Sequence, residues 1–328
     1  MKPKHIEDLL RWKKQSIIKA RLAKQQDVQD TTGDVTVRRM RSALQSMYQW
    51  AVKHEYATTN PVTLTDLGKD QGRPRGRVLD WQEIIDFWYG LQHTHMQEIT
   101  QLALKLILVT GQRSGEVLSM RERHIRNGIW TIPSSERKQT KRDTKGDHAI
   151  PLGPLAEQII DEARQAATRQ RALRREKAQK AKSRGVAMEL PEESDLVFPS
   201  MKETKKGSDT LGQAVLNPEH LSALGNQDHP TWGHWRPHDL RRTCRTSLPL
   251  CKVSREVAER VIGHEPNAQA IEHVYNQYMY KAAKREALRR WEELLQRALS
   301  WKGDMRNFGD LIEEEAFSAE SALERVTV

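Results

Sequence analysis

Hydrophobic positions along this chain recur at helical spacing far more often than in alternation, and they fall into two groups separated by a polar gap. In the first group, residues 4 to 28 carry Ile6, Leu9, Leu10, Ile17, Ile18 and Leu22 at helical intervals. A second helix is predicted from about Val35 to His54, with Met40, Ala43, Leu44, Met47, Trp50 and Ala51 as its buried stripe. It should close at Asn60-Pro61, because the residue before proline is pushed out of the α region. Residues 65 to 78 contain Gly68, Gly72, Pro74 and Gly76 with no apolar period, which marks a linker.

The second group begins near Leu79. A long helix is expected from Met96 to Val109, with Ile99, Leu102, Ala103, Leu106 and Ile107 on one face and a stop at Thr110-Gly111. Ile125 and the run Ile129 to Ile132 flank Asn127-Gly128, the dipeptide favoured by a tight hairpin, and Ala149 to Leu152 offers a third strand. Ser254 can cap a helix bearing Val257, Ala258, Val261 and Ile262, and Gly263 can end it. A last helix, Lys281 to Leu299, aligns Ala287, Leu288, Trp291, Leu294, Leu295 and Ala298. The fold class is therefore mainly α with a small antiparallel β-sheet.

Charge modifies this outline at two places. From Asp161 to Gly185 there are nine Lys or Arg against three acids, so a basic helical insertion is expected over 161–190, either a solvated extension or a contact to a DNA backbone or partner. Residues 302 to 328 carry seven acids and three bases and suggest a flexible acidic tail. The domains expected are thus 1–64, a linker at 65–78, 79–301 and the tail at 302–328.

A formal charge of +10 and a pI near 9.5 imply an acidic partner, with nucleic acid the leading class. Cys244 and Cys251 are too few for a disulfide framework, and no cluster has zinc-ligand spacing. Neither a signal peptide nor a membrane span is expected, since no apolar run reaches about 18 residues. The expected location is the bacterial cytoplasm, on a chromosome or plasmid.

Candidate chemistry sits at the punctuated helix ends. In Thr110-Gly111-Gln112-Arg113-Ser114-Gly115-Glu116, a glycine turn ends one helix and Ser114 can begin another, so the Arg113 guanidinium lies near a helix N-terminus that already favours an anion. Glu116, three residues on, can hold that guanidinium. In His238-Asp239-Leu240-Arg241-Arg242, i, i+3 spacing puts His238 and Arg241 on one face while Leu240 turns inward. Arg242 points elsewhere and suits a structural contact. His264, just after Gly263, is held at a helix end. The turn from Ser134 to Asp147 offers Lys138, Lys141 and Lys145, and Tyr275, Tyr278 and Tyr280 follow His264 closely.

Taken together, these boxes resemble the tyrosine recombinases of the phage integrase family. Thr-Gly-x-Arg-x-x-Glu is similar to the first arginine box, His238-x-x-Arg241 to the second, and Gly263-His264 to the Gly-His box. Phe198-Pro199-Ser200, and the segment Val37 to Pro61 as a core-binding helix, also match family landmarks. The context Tyr275-Asn276-Gln277-Tyr278-Met279-Tyr280 resembles the family string whose first tyrosine is the nucleophile, although the eleven-residue step from His264 is slightly long. Thr140-Lys141 ahead of His148-Ala149-Ile150-Pro151-Leu152 makes Lys141 the best match to the hairpin lysine, with Lys138 and Lys145 as the other choices.

The resemblance implies a helical, SAM-like core-binding domain at 1–64 and a catalytic domain at 79–301. It implies Arg113, Lys141, His238, Arg241, His264 and Tyr275 as catalytic residues with Glu116 in support, a covalent 3′-phosphotyrosyl intermediate, and no cofactor or metal. Implied partners are double-stranded DNA attachment sites, a homotetramer assembled on DNA in which the C-terminal segment packs on the neighbouring subunit, and accessory DNA-bending proteins. The alternatives are a type IB-like topoisomerase, or a DNA-binding relative with weak or no recombination. Many members carry an arm-binding domain ahead of the core-binding one. This chain has no room for it, which suggests either simple sites without arm sequences or an abbreviated N-terminal part with weak DNA binding.

Overall fold

The computed structural model describes residues 2–26, 28–67, 76–94, 96–137, 146–183, 195–199, 235–264 and 277–324. The chain divides into two compact units, Met1–Gly76 and Arg77–Val328. No described helix is long and apolar enough to cross a membrane.

In the first unit, helices α1 (Pro3–Leu22) and α2 (Asp34–Lys53) pack with a 3-10 turn, Pro61–Leu64, around Ile6, Leu10, Val37 and Val62. Helix α1 stops earlier than its sequence signal suggests, whereas α2 ends within one residue of the expected His54. Asn60 does not end α2 but caps the 3-10 turn, its side chain accepting from the Val62 amide at 3.0 Å. The buried row on α2 is Val37, Met40, Leu44 and Tyr48, whereas Ala43 is exposed and Met47 and Trp50 are 51% and 56% exposed. The expected stripe was too wide: α1 offers only Ile6 and Leu10 as fully buried partners, enough to cover one row of α2. The linker is also narrower than 65–78. Thr65 is buried and Leu67 packs on the first unit, while Arg77 pairs with Glu83 in the second.

The second unit is built on α4 (Glu98–Thr110), whose apolar residues are buried on every side rather than on one face. Around it lie α3 (Trp81–Gly90), capped reciprocally by Asp80 and Glu83, the short α5 (Ser114–Leu118), and a three-stranded antiparallel sheet. The strands are β1 (Ile125–Arg126), β2 (Ile129–Ile132) and β3 (His148–Pro151), with Ile132 opposite His148 and Trp130 opposite Ile150. Asn127 and Gly128 take φ of 50° and 66°, the left-handed pair a tight hairpin requires. β3 lies one residue earlier than expected, because the Leu152 amide donates to Gly128 O in the turn.

Two readings based on charge need correction. Helix α6 (Pro154–Lys182) is not an insertion beginning at 161: Leu155, Ile159, Ile160, Ala163, Ala166 and Ala167 bury one side of it against α4. Alanines make that stripe, and their small contribution to hydrophobicity was hidden by the arginines and lysines around them. Nor is 302–328 simply a tail. After α7 (Pro237–Ser247), α8 (Arg255–Val261) and α9 (Gln277–Ser300), helix α10 spans Met305–Glu324, and Met305, Phe308 and Ile312 enter the main core. Phe308 meets Trp81 edge-to-face at 5.1 Å. The apolar face of α9 is likewise buried within its own unit, where the Trp291 indole donates to Leu108 O at 3.1 Å.

Candidate active site

The site forms where three helix ends meet. Helix α4 ends at Gly111 in the left-handed conformation (φ +66°), and a Cβ there would lie 2.9 Å from Cys244 Sγ on α7. Only glycine allows both the turn and that approach. Two residues later Arg113 becomes the N-cap of α5. Its backbone amide donates to Glu116 Oε2 at 3.0 Å and its guanidinium to Oε1 at 3.0 Å, so the nearly buried carboxylate fixes both ends of the arginine.

On α7, Pro237 occupies the first turn and Asp239 accepts from the Arg236 amide at 2.9 Å. Leu240 is fully buried, and Arg241 is only 3% exposed. The Arg241 guanidinium donates to Gly111 O at 2.9 Å and to Ile262 O at 2.7 Å, tying the C-terminal ends of α4 and α8 together with a cation where both helix dipoles favour one. The same Nη2 lies 3.4 Å from His264 Nε2. Arg242 instead pairs with Asp239 at 2.6 Å and donates to Arg77 O at 3.1 Å, a structural contact.

Gly263 ends α8 in the left-handed conformation (φ +73°), and the His264 amide donates to Glu259 O at 2.9 Å. Glu259 also holds the His264 ring at Nδ1, 2.9 Å away, while it pairs with Arg245 at 2.6 Å. The carboxylate thereby orients the imidazole with Nε2 toward Arg241. The structure thus brings Arg113, Glu116, His238, Arg241 and His264 together from three separate boxes. Lys141 and Tyr275, with Lys138 and Lys145, lie outside the described residues, as does the Tyr278 side chain.

Tyr280 is described. Its hydroxyl donates to Glu256, which raises the phenol pKa, and the Arg260 guanidinium lies 3.6 Å over its ring. Among the three tyrosines, this one is engaged on α8.

Two histidines of the site, His238 and His264, are held below the usual imidazole range. His238 is lowered by partial desolvation and by Arg241 and Arg242. His264 is lowered by desolvation, Arg241 and Arg113, against the opposing pull of Glu259. Each is therefore neutral at neutral pH. The unfolded chain binds these protons near pH ~6.5, so their contribution to stability is complete above that value and is lost as pH falls below it. In NMR titrations of the free protein, His264 should titrate below pH ~6.5, and Glu259→Gln should move it lower still. An unchanged or higher value in the variant would contradict the role given to Glu259.

Gln112, Arg137, Glu259 and Lys284 escaped the sequence reading. Gln112, the unremarked residue of the first box, donates from Nε2 to Thr110 O and Val261 O at 2.7 and 2.9 Å, and its Oε1 accepts from His148 Nε2 at 3.1 Å. His148 is buried, which, with nearby Lys284, Arg137 and Arg241, holds its pKa far below normal. Arg137 and Glu259 had no local signal, since their partners become neighbours only through the fold. Lys284 on α9 donates to Ala149 O, and burial pushes its pKa down to about 8.

The sequence model of the phage integrase family matches residues 80–285. No curated protein matches the chain significantly. Among solved structures, a lambda integrase tetramer bound to a Holliday junction is similar, at 18% identity and a TM-score of 0.50, over 82% of this chain and 66% of that one. So is the Tn1549 transposon integrase in complex with transposon right-end DNA, at 13% identity and a TM-score of 0.50, over 86% of each chain. At these identities the likeness concerns the fold.

Proposed function

The chain belongs to the phage integrase family and is a tyrosine site-specific recombinase, and from that premise we propose that Arg113, Lys141, His238, Arg241, His264 and Tyr275 carry out its strand exchange. The observation that supports this most is the meeting of Arg113, Arg241 and His264 around the junction of α4, α7 and α8, with each side chain fixed by its own partner.

In this reading the Tyr275 hydroxyl attacks a backbone phosphorus, a 3′-phosphotyrosyl bond forms and the bond to the 5′-oxygen breaks. The phenol has an ordinary pKa near ~10, so its proton needs an acceptor. His238, neutral at physiological pH for the reasons above, is able to take it. Lys141 returns a proton to the departing 5′-oxygen. Arg113 and Arg241 provide fixed positive charge around the nonbridging oxygens, in place before the reaction begins. His264 adds a hydrogen bond from Nε2. With Nδ1 bound to Glu259, that bond requires the imidazolium, which an incoming phosphate favours, so the His264 pKa should rise on DNA binding. The bond energy is retained in the phosphotyrosine, and a 5′-hydroxyl from a second duplex can reverse the step.

The substrate is double-stranded DNA carrying attachment sites of a mobile element. The first unit serves as the core-binding domain, and four copies act together on two sites in the cytoplasm, with accessory DNA-bending proteins assisting. Incubating the protein with a nicked suicide duplex of its own attachment site should give a covalent adduct with wild type and none with Tyr275→Phe. An adduct with the Phe variant would move the nucleophile to Tyr278. No adduct with wild type on any flanking site would favour a DNA-binding role without cleavage.

A further inference from the structure

We propose that Arg137 is a positioning residue for strand cleavage, one that offsets the charge of Glu116 and locks the three parts of the site into register; the proposal rests on the recombinase reading above. Its side chain is wholly inaccessible to solvent, so it cannot touch DNA. Burying a guanidinium so completely is costly unless partners surround it. The partners come from three places: Nε lies 3.5 Å from Glu116 Oε1, Nη2 donates to Gly263 O at 3.2 Å, and Nη1 lies 3.5 Å from Gly146 O.

Each contact reaches a different part of the machinery. Glu116 holds Arg113, Gly263 directly precedes His264, and Gly146 directly follows, in the sequence, the segment that carries Lys138, Lys141 and Lys145. The fit is close. A Cβ on Gly263 would lie 2.6 Å from Arg137 Nη2 and 3.1 Å from His148 Nε2, so the glycine leaves room for the guanidinium as well as providing the left-handed turn.

Charge balance gives the arrangement its purpose. Arg113 and Glu116 alone are a neutral pair, and a neutral pair exerts little field on a phosphate. With Arg137 on the same carboxylate, the trio has a net charge of +1, and the Arg113 charge is available to the substrate. Because the trio is largely buried, solvent screens this balance weakly.

The test compares wild type, Arg137→Met, Arg137→Lys and the double variant Arg137→Met/Glu116→Gln on the nicked suicide duplex, measuring duplex affinity and single-turnover adduct formation separately. Arg137→Met should bind within about twofold of wild type yet cleave roughly 100-fold more slowly, the scale for losing one element of a preorganised field. Arg137→Lys, which keeps the charge, should recover part of that loss. Adding Glu116→Gln to Arg137→Met should raise the rate again by about tenfold, because the uncompensated carboxylate is gone. A purely fold-keeping arginine gives no such recovery. A double variant as slow as Arg137→Met overturns the proposal, as does a Met variant that cleaves within about threefold of wild type or loses affinity in step with rate. If Arg137→Met fails to fold by circular dichroism, Arg137→Gln takes its place with the same recovery expected. Absence of adduct with wild type would instead remove the recombinase reading itself.

Discussion

Replacing Arg241 by lysine is expected to slow strand cleavage by roughly 10³-fold, even though the positive charge is kept. The reason lies in how the guanidinium is used. Two of its nitrogens are already committed to Gly111 O and Ile262 O, which fixes its plane relative to Arg113 and His264. A lysine ammonium is a point charge on a flexible stem and cannot bridge both carbonyls while facing a phosphate. One carbonyl at a helix C-terminus is then left without its donor, at a cost of about 1–3 kcal/mol, and the remaining charge is free to wander by more than preorganised catalysis tolerates. Duplex affinity should change only a few fold, since one guanidinium is a small part of the phosphate contacts by which a protein holds DNA. Single-turnover adduct formation against affinity reads the two effects apart. A lysine variant that cleaves within tenfold of wild type would show that charge alone suffices and that the bridging geometry is incidental.

The residues that the sequence made legible share one property: their positions are set by local punctuation. Gly111 and Gly263 stop helices, Asn127-Gly128 turns a hairpin, Pro237 starts a helix, and each leaves its neighbour at a defined place. Arg113, Arg241 and His264 could be singled out as candidates because they stand one to four residues from such marks. What escaped was whatever depends on distance through space. Arg137 meets Gly263 across 126 positions, and Gln112 reaches Val261 across 149. No periodicity or composition carries that information. The stripe on α2 failed for a related reason: the pattern of α2 alone cannot say how little surface α1 presents to it. Charge misled at α6 and α10, where short apolar rows are embedded among many ionic side chains.

The misreading at the C-terminus has a measurable consequence. If 302–328 were a flexible tail, ending the chain after Trp301 would leave the stability of the second unit unchanged. In the structure that deletion removes Met305, Phe308 and Ile312 from the main core, along with the edge-to-face contact of Phe308 on Trp81 and the Arg297–Glu315 pair at 3.0 Å. Burying each of the three side chains contributes about 1.5–3 kcal/mol, and the exposed Arg297–Glu315 pair adds little. Ordering the helix opposes this gain, so a net loss of about 3–5 kcal/mol is expected. For a domain of this size that corresponds to a fall in Tm of roughly 10 °C, readable by calorimetry or thermal circular dichroism. The single substitution Phe308→Ala should cause much of the loss on its own, about 3–4 kcal/mol, because it empties the space between Trp81 and Trp301. A truncated chain that melts with wild type would mean that α10 does not hold its place against the core. If the truncation destabilises but Phe308→Ala does not, the helix is held by its polar contacts, and the apolar row is not the reason it docks.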